Sequence, residues 1–155
     1  MNLSELVRGG TFCLSKAGLA IGGTTTKAKI LEPGGSSGVT FVIKGISYYV
    51  ASADNLITFT ANSQTALYSC IYLVCINSSN TITTVTGTEV LTADITSGKK
   101  VLTWPVPTVN TCCIGAIRVD AGASAFTAGT TALTGGTVTV TYYDLFAVPE
   151  APLTS

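Results

Sequence analysis

The chain contains no histidine at any of its 155 positions. That absence removes Ser-His-Asp and Cys-His nucleophilic centres from within the chain, along with the zinc sites that need an imidazole. Charge is scarce as well. Asp, Glu, Lys and Arg supply 10% of the residues, against about 25% in an ordinary globular domain. Eight Lys/Arg balance eight Asp/Glu, and Lys99-Lys100 is the only adjacent basic pair. A nucleic-acid partner would need a basic stripe to neutralise phosphates, so none is expected. The acids Glu5, Glu32, Asp54, Glu89, Asp94, Asp120, Asp144 and Glu150 stand apart, with no D-x-D run to hold calcium. Neither C-x-x-C nor the phosphate-loop pattern G-x-x-x-x-G-K-[ST] occurs. No apolar run approaches the roughly 18 residues that a membrane helix needs. The longest, Ala66 to Ile76, is interrupted by Tyr68, Ser69 and Tyr72. The start, MNLSELVRGG, lacks the basic-then-apolar design of a secretory signal. These absences predict no catalytic residue, no metal, no cofactor and no membrane partner.

What is present is apolar and hydroxylated. Mean hydropathy is +0.51, high for a chain that stays dispersed alone. With no spanning segment, that value points to a surface hidden in an assembly. Thr makes up about a sixth of the chain and Gly 16 residues. Thr favours strands and Gly serves turns, which suits an all-β protein with a neutral, hydroxyl-coated surface.

Five cysteines, Cys13, Cys70, Cys75, Cys112 and Cys113, form an odd set without a secretion signal. A disulfide framework is a poor reading of them, and small buried hydrophobes the better one. On strands, Cys70 and Cys75 face opposite sides, as do Cys112 and Cys113.

Asn2 and Glu5 have the spacing of a capping box, with Leu3, Leu6 and Val7 on one face of a short helix ended by Gly9-Gly10. Residues 1 to 31 read as an extended arm that docks on a neighbour or on its own domain. An ordinary first strand over Lys27–Leu31 is the alternative. Pro33–Gly38 (PGGSSG) is the clearest break. The organisation predicted is therefore an arm and linker over 1–37, a body over 38–149 and a tail over 150–155. Within the body, Val39–Ile43 and Ile46–Ala51 predict a hairpin around Lys44-Gly45. Asn55–Thr60, Thr65–Ile76, Thr81–Thr86, Val90–Leu91 and Val101–Trp104 predict further strands. Thr92–Lys100 reads as a polar loop, and Trp104-Pro105-Val106-Pro107 leaves the sheet because proline cannot continue a central strand.

The last quarter holds two more strand-like runs. In the first, Cys112, Ile114, Ala116 and Arg118 share a face. In the second, Val138, Val140, Tyr142 and Phe146 alternate with Thr137, Thr139, Thr141 and Tyr143. The fold predicted is an antiparallel β-sandwich, jelly-roll-like, of about seven to nine strands. The small-residue connection Ala121–Gly136 is the expected contact with a neighbouring subunit. Its Phe126, Thr127, Thr130 and Leu133, with Leu3, Leu6 and Val7 of the arm, form the candidate interface. Trp104, Tyr48, Tyr49, Tyr142 and Tyr143 could stack on sugar, although large aromatics more often fill cores.

The segments GVTFVIKGISYYVASADNLITFTA, LYSCIYLVCI, CCIGAIRVDAG, SAFTAGTTALTGG and VTYYDLFAVP, with AGLAIGGTTTK before them, resemble small structural proteins of tailed bacteriophages. Within that class the chain is similar to capsid decoration, or cement, proteins. The resemblance implies a virion protein on the capsid surface, made in the host cytoplasm. It further implies a β-rich homotrimer that clamps neighbouring major capsid proteins, with no catalytic residues. Fibre and tail proteins share such β folds, so a fibre module that binds host carbohydrate or receptor is the alternative.

Overall fold

The structure is a computed structural model that describes residues 10–31 and 38–146. Among these the chain is all-β, with thirteen strands and one short helix. Its antiparallel sheets pack as a β-sandwich. The strand count exceeds the seven to nine expected because several strands have only two or three residues, too few for alternation to show in sequence.

Three short strands, β1 (Phe12–Cys13), β2 (Leu19–Ile21) and β3 (Ala28–Ile30), occupy the region expected to be an arm. They are followed by β4 (Gly38–Ile43), β5 (Ile46–Ala51), β6 (Ala53–Ile57) and β7 (Ser63–Gln64). Next come β8 (Tyr68–Asn77), β9 (Ile82–Thr86), β10 (Val90–Leu91) and the helix α1 (Thr92–Thr96). The chain continues through β11 (Thr111–Ala121), β12 (Phe126–Thr127) and β13 (Val138–Asp144).

Of the two dockings expected for residues 1–31, residues 12–30 take the one on their own domain, and β3 falls within the alternative strand Lys27–Leu31. β1 pairs with β4, placing Cys13 opposite Phe41, and β2–β3–β6 form a sheet. Cys13, Ala17, Leu19, Ala28 and Ile30 are buried in the same core as the body. Their burial there removes this apolar surface from water within the chain itself. Leu3, Leu6, Val7 and the tail 150–155 lie outside the described residues.

The predicted hairpin is present as β4–β5, with Ile43 opposite Ile46. Lys44 and Gly45 both have positive φ, 51° and 80°, as a two-residue hairpin turn requires. β8 is the centre of the five-stranded sheet, flanked by β11 on one side and by β9 and β10 on the other. It is buried on both faces, which explains its unbroken apolar run. Asn77 closes β8 by accepting the N–H groups of Ser79 and Thr81 on its side-chain oxygen, each at 2.9 Å. The Thr92–Lys100 loop contains α1, and Val101–Trp104 forms no strand.

A β-bulge falls between Cys113 and Gly115 on β11. It changes which residues face inward. Cys112 and Ile114 belong to the main core, but beyond the bulge Ile117, Val119 and Ala121 do, while Ala116 joins the opposite face. The shared face predicted for Cys112, Ile114, Ala116 and Arg118 therefore holds only for the first two. One extra residue on a strand shifts its alternation.

The main core draws on all four sheets. Phe59, Tyr72 and Phe126 meet edge to face, at centroid separations of 5.4 to 6.5 Å. Beside them the fully buried Gln64 donates to the carbonyls of Tyr68 and Val119 at 2.7 and 2.9 Å. Its Oε1 accepts the Tyr72 hydroxyl at 3.1 Å, and that hydroxyl accepts Asn62 Nδ2 at 3.2 Å. Each polar atom of this buried group is thus paired, the condition under which a polar network belongs in a core.

Candidate interaction surface

The outer face of the five-stranded sheet carries a second, smaller cluster of Ile71, Leu73, Cys75 and Ala116, edged by Val85, Leu102, Cys113 and Leu145. It is roofed by the irregular stretch from residue 101 to residue 110. Leu102 points into the cluster and anchors the stretch. Pro105 rests against Gly87, where a Cβ would come within 2.9 Å of the Ile71 carbonyl and 3.1 Å of the Pro105 ring. Two prolines keep the stretch out of the β ladder. With one side of it on the sheet, its remaining apolar side chains turn outward: Val101 is 75% exposed, Trp104 52%, Val106 83% and Val109 82%.

The patch extends onto β13. The Trp104 ring meets Tyr143 edge to face, with centroids 6.0 Å apart, and Tyr143 and Phe146 are themselves exposed. Among the described residues β13 pairs only with β11, which leaves its other edge without a strand partner there. That edge, VTVTYYD, has neither the lysine nor the proline that commonly blunts such strands. Its far end is latched to β2, where Asp144 Oδ1 accepts the Leu19 N–H at 3.1 Å.

Electrostatics leave the stretch 101–110 neutral. No charged residue lies between Lys100 and Arg118 in the sequence. Lys100 is engaged by Asp94 at 3.5 Å and Arg118 by Asp120 at 2.8 Å. Asp120 and Tyr143 beside it raise the Arg118 pKa, so the guanidinium stays charged and paired. Contiguous exposed apolar surface of this kind marks association sites in soluble proteins.

The sequence-derived interface is distributed differently. Phe126 and Leu133 face inward and are buried in the main core, a correction to their expected outward role. The connection 121–136 is fastened to its own body instead. β12 pairs with β7, Ala128 N–H donates to the Asn62 carbonyl at 2.8 Å, and Leu133 N–H donates to the Thr25 carbonyl at 2.7 Å. Thr127 is half-buried, its carbonyl accepting the N–H groups of Thr130 and Thr131. Thr130 alone of these four is exposed. Of the aromatic candidates, Tyr48 stacks on Phe41 at 5.7 Å and Tyr142 packs against the core. Trp104 and Tyr143 form the exposed pair.

Sequence reasoning missed Val101, Val106 and Val109. The signal was available: an uncharged apolar stretch with two prolines cannot be a central strand, and not all of its side chains can face the sheet at once. Among the described residues no three Cys, Asp or Glu side chains cluster as metal ligands, and no helix is long and apolar enough to cross a membrane. Comparison with protein-family models, with curated proteins and with solved structures returns no significant match to the chain.

Proposed function

We propose that the chain is a non-catalytic structural protein of a phage virion. It binds the outside of the capsid as a decoration, or cement, protein and acts as a homotrimer. The observation that carries this reading is the neutral apolar patch from Val101 to Val109, continued by Trp104, Tyr143 and the edge of β13 away from β11. Such a surface suits lasting coverage by other copies and by a protein lattice. The stretch from Val101 to Val109 carries no charge of its own, and the nearby Lys100 and Arg118 are each paired with a carboxylate rather than free to steer transient encounters. The virion assignment itself comes from the sequence resemblance. The mechanism is stabilisation by added interface area across joints between major capsid proteins. No membrane or nucleic acid takes part.

Two measurements test it. Light scattering at micromolar concentration should give a trimer, and a monodisperse monomer would overturn the assembly reading. In purified particles a cement protein should be present on the order of hundreds of copies, as repeated symmetric placement requires. A few copies would place it in the tail. A second reading has its own observation: the exposed Trp104–Tyr143 pair could stack on the apolar face of a sugar, as expected of a fibre module. A glycan screen that lights up for the native chain, and fails for Trp104→Ala, would favour that reading.

A further inference from the structure

Cys75 on β8 lies directly opposite Cys113 on β11, and their Sγ atoms are 3.5 Å apart. Residues directly opposite in an antiparallel ladder have Cα atoms about 4.5 or 5.5 Å apart. Both spacings fall within the roughly 4.4–6.8 Å that a disulfide accepts. The adjoining bulge at Ile114 adds local twist on the side where the sulfurs must close. We propose that Cys75 and Cys113 form a redox-active cross-strand dithiol, which a low-molecular-weight disulfide oxidises to one intrachain disulfide.

The surroundings assign the two sulfurs different parts. Cys75 is fully buried, whereas Cys113 is half-buried and lines a shallow depression with Phe12, Cys13, Leu145 and Phe146. Lys16 Nζ sits over the Phe146 ring at 5.1 Å, placing a cation at the mouth where an anionic disulfide would enter. Cys113 is therefore the point of attack. It releases its proton and attacks one sulfur of RSSR, and the departing RS⁻ takes up a proton as RSH. Cys75, as thiolate, then attacks Sγ of Cys113 in the mixed disulfide and expels the second RS⁻, which is protonated in turn. Two protein thiols become one disulfide while one RSSR becomes two RSH.

The chemistry of the five thiols separates this pair from the rest. Burial pushes Cys13 and Cys70 up to about 11 and Cys112 up to about 12, so these stay protonated and inert. Cys75 is brought down from the ordinary thiol value, first by the hydrogen bond from Cys113 and against its own burial, with help from Thr111 and a backbone group of Thr108. The same shared proton holds the Cys113 value up. In the reduced pair the negative charge thus favours Cys75, and the first attack, for which Cys113 must give up the shared proton, is the slower step; once Cys113 is in the mixed disulfide, the Thr111 and Thr108 groups remain to favour the Cys75 thiolate. The bond would close a loop spanning β9, β10, α1 and the whole exposed stretch 101–110, so the oxidation state staples the base of that surface. The proposal does not depend on what the surface binds.

The test treats the full native chain with excess glutathione disulfide and counts thiols after denaturation. Free thiols should fall from five by the two of this pair. A non-reducing digest should join the peptides that contain Cys75 and Cys113. Cys75→Ala should stall with one glutathione on Cys113, and Cys113→Ala should take up none on Cys75. Five surviving thiols in the native chain would overturn the proposal, as would a bond through Cys13, Cys70 or Cys112. A Cys75→Ala chain left unmodified at Cys113 would overturn the order of attack, and with it the dithiol mechanism.

Discussion

The two faces of the five-stranded sheet use similar residues to opposite ends. On the inner face Phe126, Tyr72 and Phe59 enclose Gln64, and every polar atom of that residue has a partner. On the outer face a smaller cluster is roofed by a stretch that buries Leu102 but leaves Val101, Val106 and Val109 in water. Valine is no less apolar on one side than on the other. What differs is whether the backbone carrying it has its own hydrogen-bonded place in a sheet. The inner face is finished within the chain, whereas the outer face leaves apolar side chains in water.

That contrast is open to direct attack. Phe126→Ala should cost about 3–5 kcal/mol in denaturant unfolding, since it opens a cavity in the aromatic cluster. A cost under 1 kcal/mol would mean that the connection 121–136 is not part of the core. Gln64→Ala should cost on the order of 2–3 kcal/mol, because the Val119 carbonyl and the Tyr72 hydroxyl lose buried partners. Alkaline titration probes the inner face by another route. Cys13, Cys70 and Cys112 have folded values raised from 9.0 to about 11 or 12 by burial. Their contribution to stability is complete below pH 9 and is lost as pH rises towards the folded values, because only the unfolded chain ionises freely. Urea midpoints should therefore fall between pH 9 and 11, and Cys112→Ala should flatten that fall; a flat native profile would show that the thiols are not shielded. At the outer face Val106→Lys with Val109→Lys should move stability by no more than about 0.5 kcal/mol while abolishing self-association in sedimentation. A large loss of stability with association intact would reverse the contrast.

Much of the inner architecture was legible in the sequence. Alternation in Val138–Asp144, the Lys44-Gly45 turn and the doubly apolar run of β8 are short-range signals that a single strand carries by itself. The short strands β1, β2, β7 and β12 were not legible, because two or three residues contain no period. Their pairings are decided by distant partners such as Phe41 and Gln64. The connection 121–136 was misjudged for a related reason. Small residues and glycines look like loop, and only the tertiary structure shows Phe126 and Leu133 turned inward. The exposed apolar patch was half visible: Trp104 and Tyr143 stood out as aromatics, but Val101 looked like part of a strand and Val106 and Val109 drew no reading. The encounter of Cys75 with Cys113 could not be read from either strand alone, since it needs the register between them.

The bulge at Ile114 works as a change of parity. Before it, odd-numbered residues of β11 point outward; after it, even-numbered ones do. Cys113 and the Arg118–Asp120 ion pair consequently share one side of the sheet with the exposed valines, although strict alternation would have put the thiol and the arginine on opposite sides. Strict alternation through Ile114, with no bulge, would keep Cys113 outside only by turning Ile117 and Val119 out with it. The single unpaired position thus lets one strand serve a dry interior along its length and still deliver a thiol and an ion pair to the same outer surface.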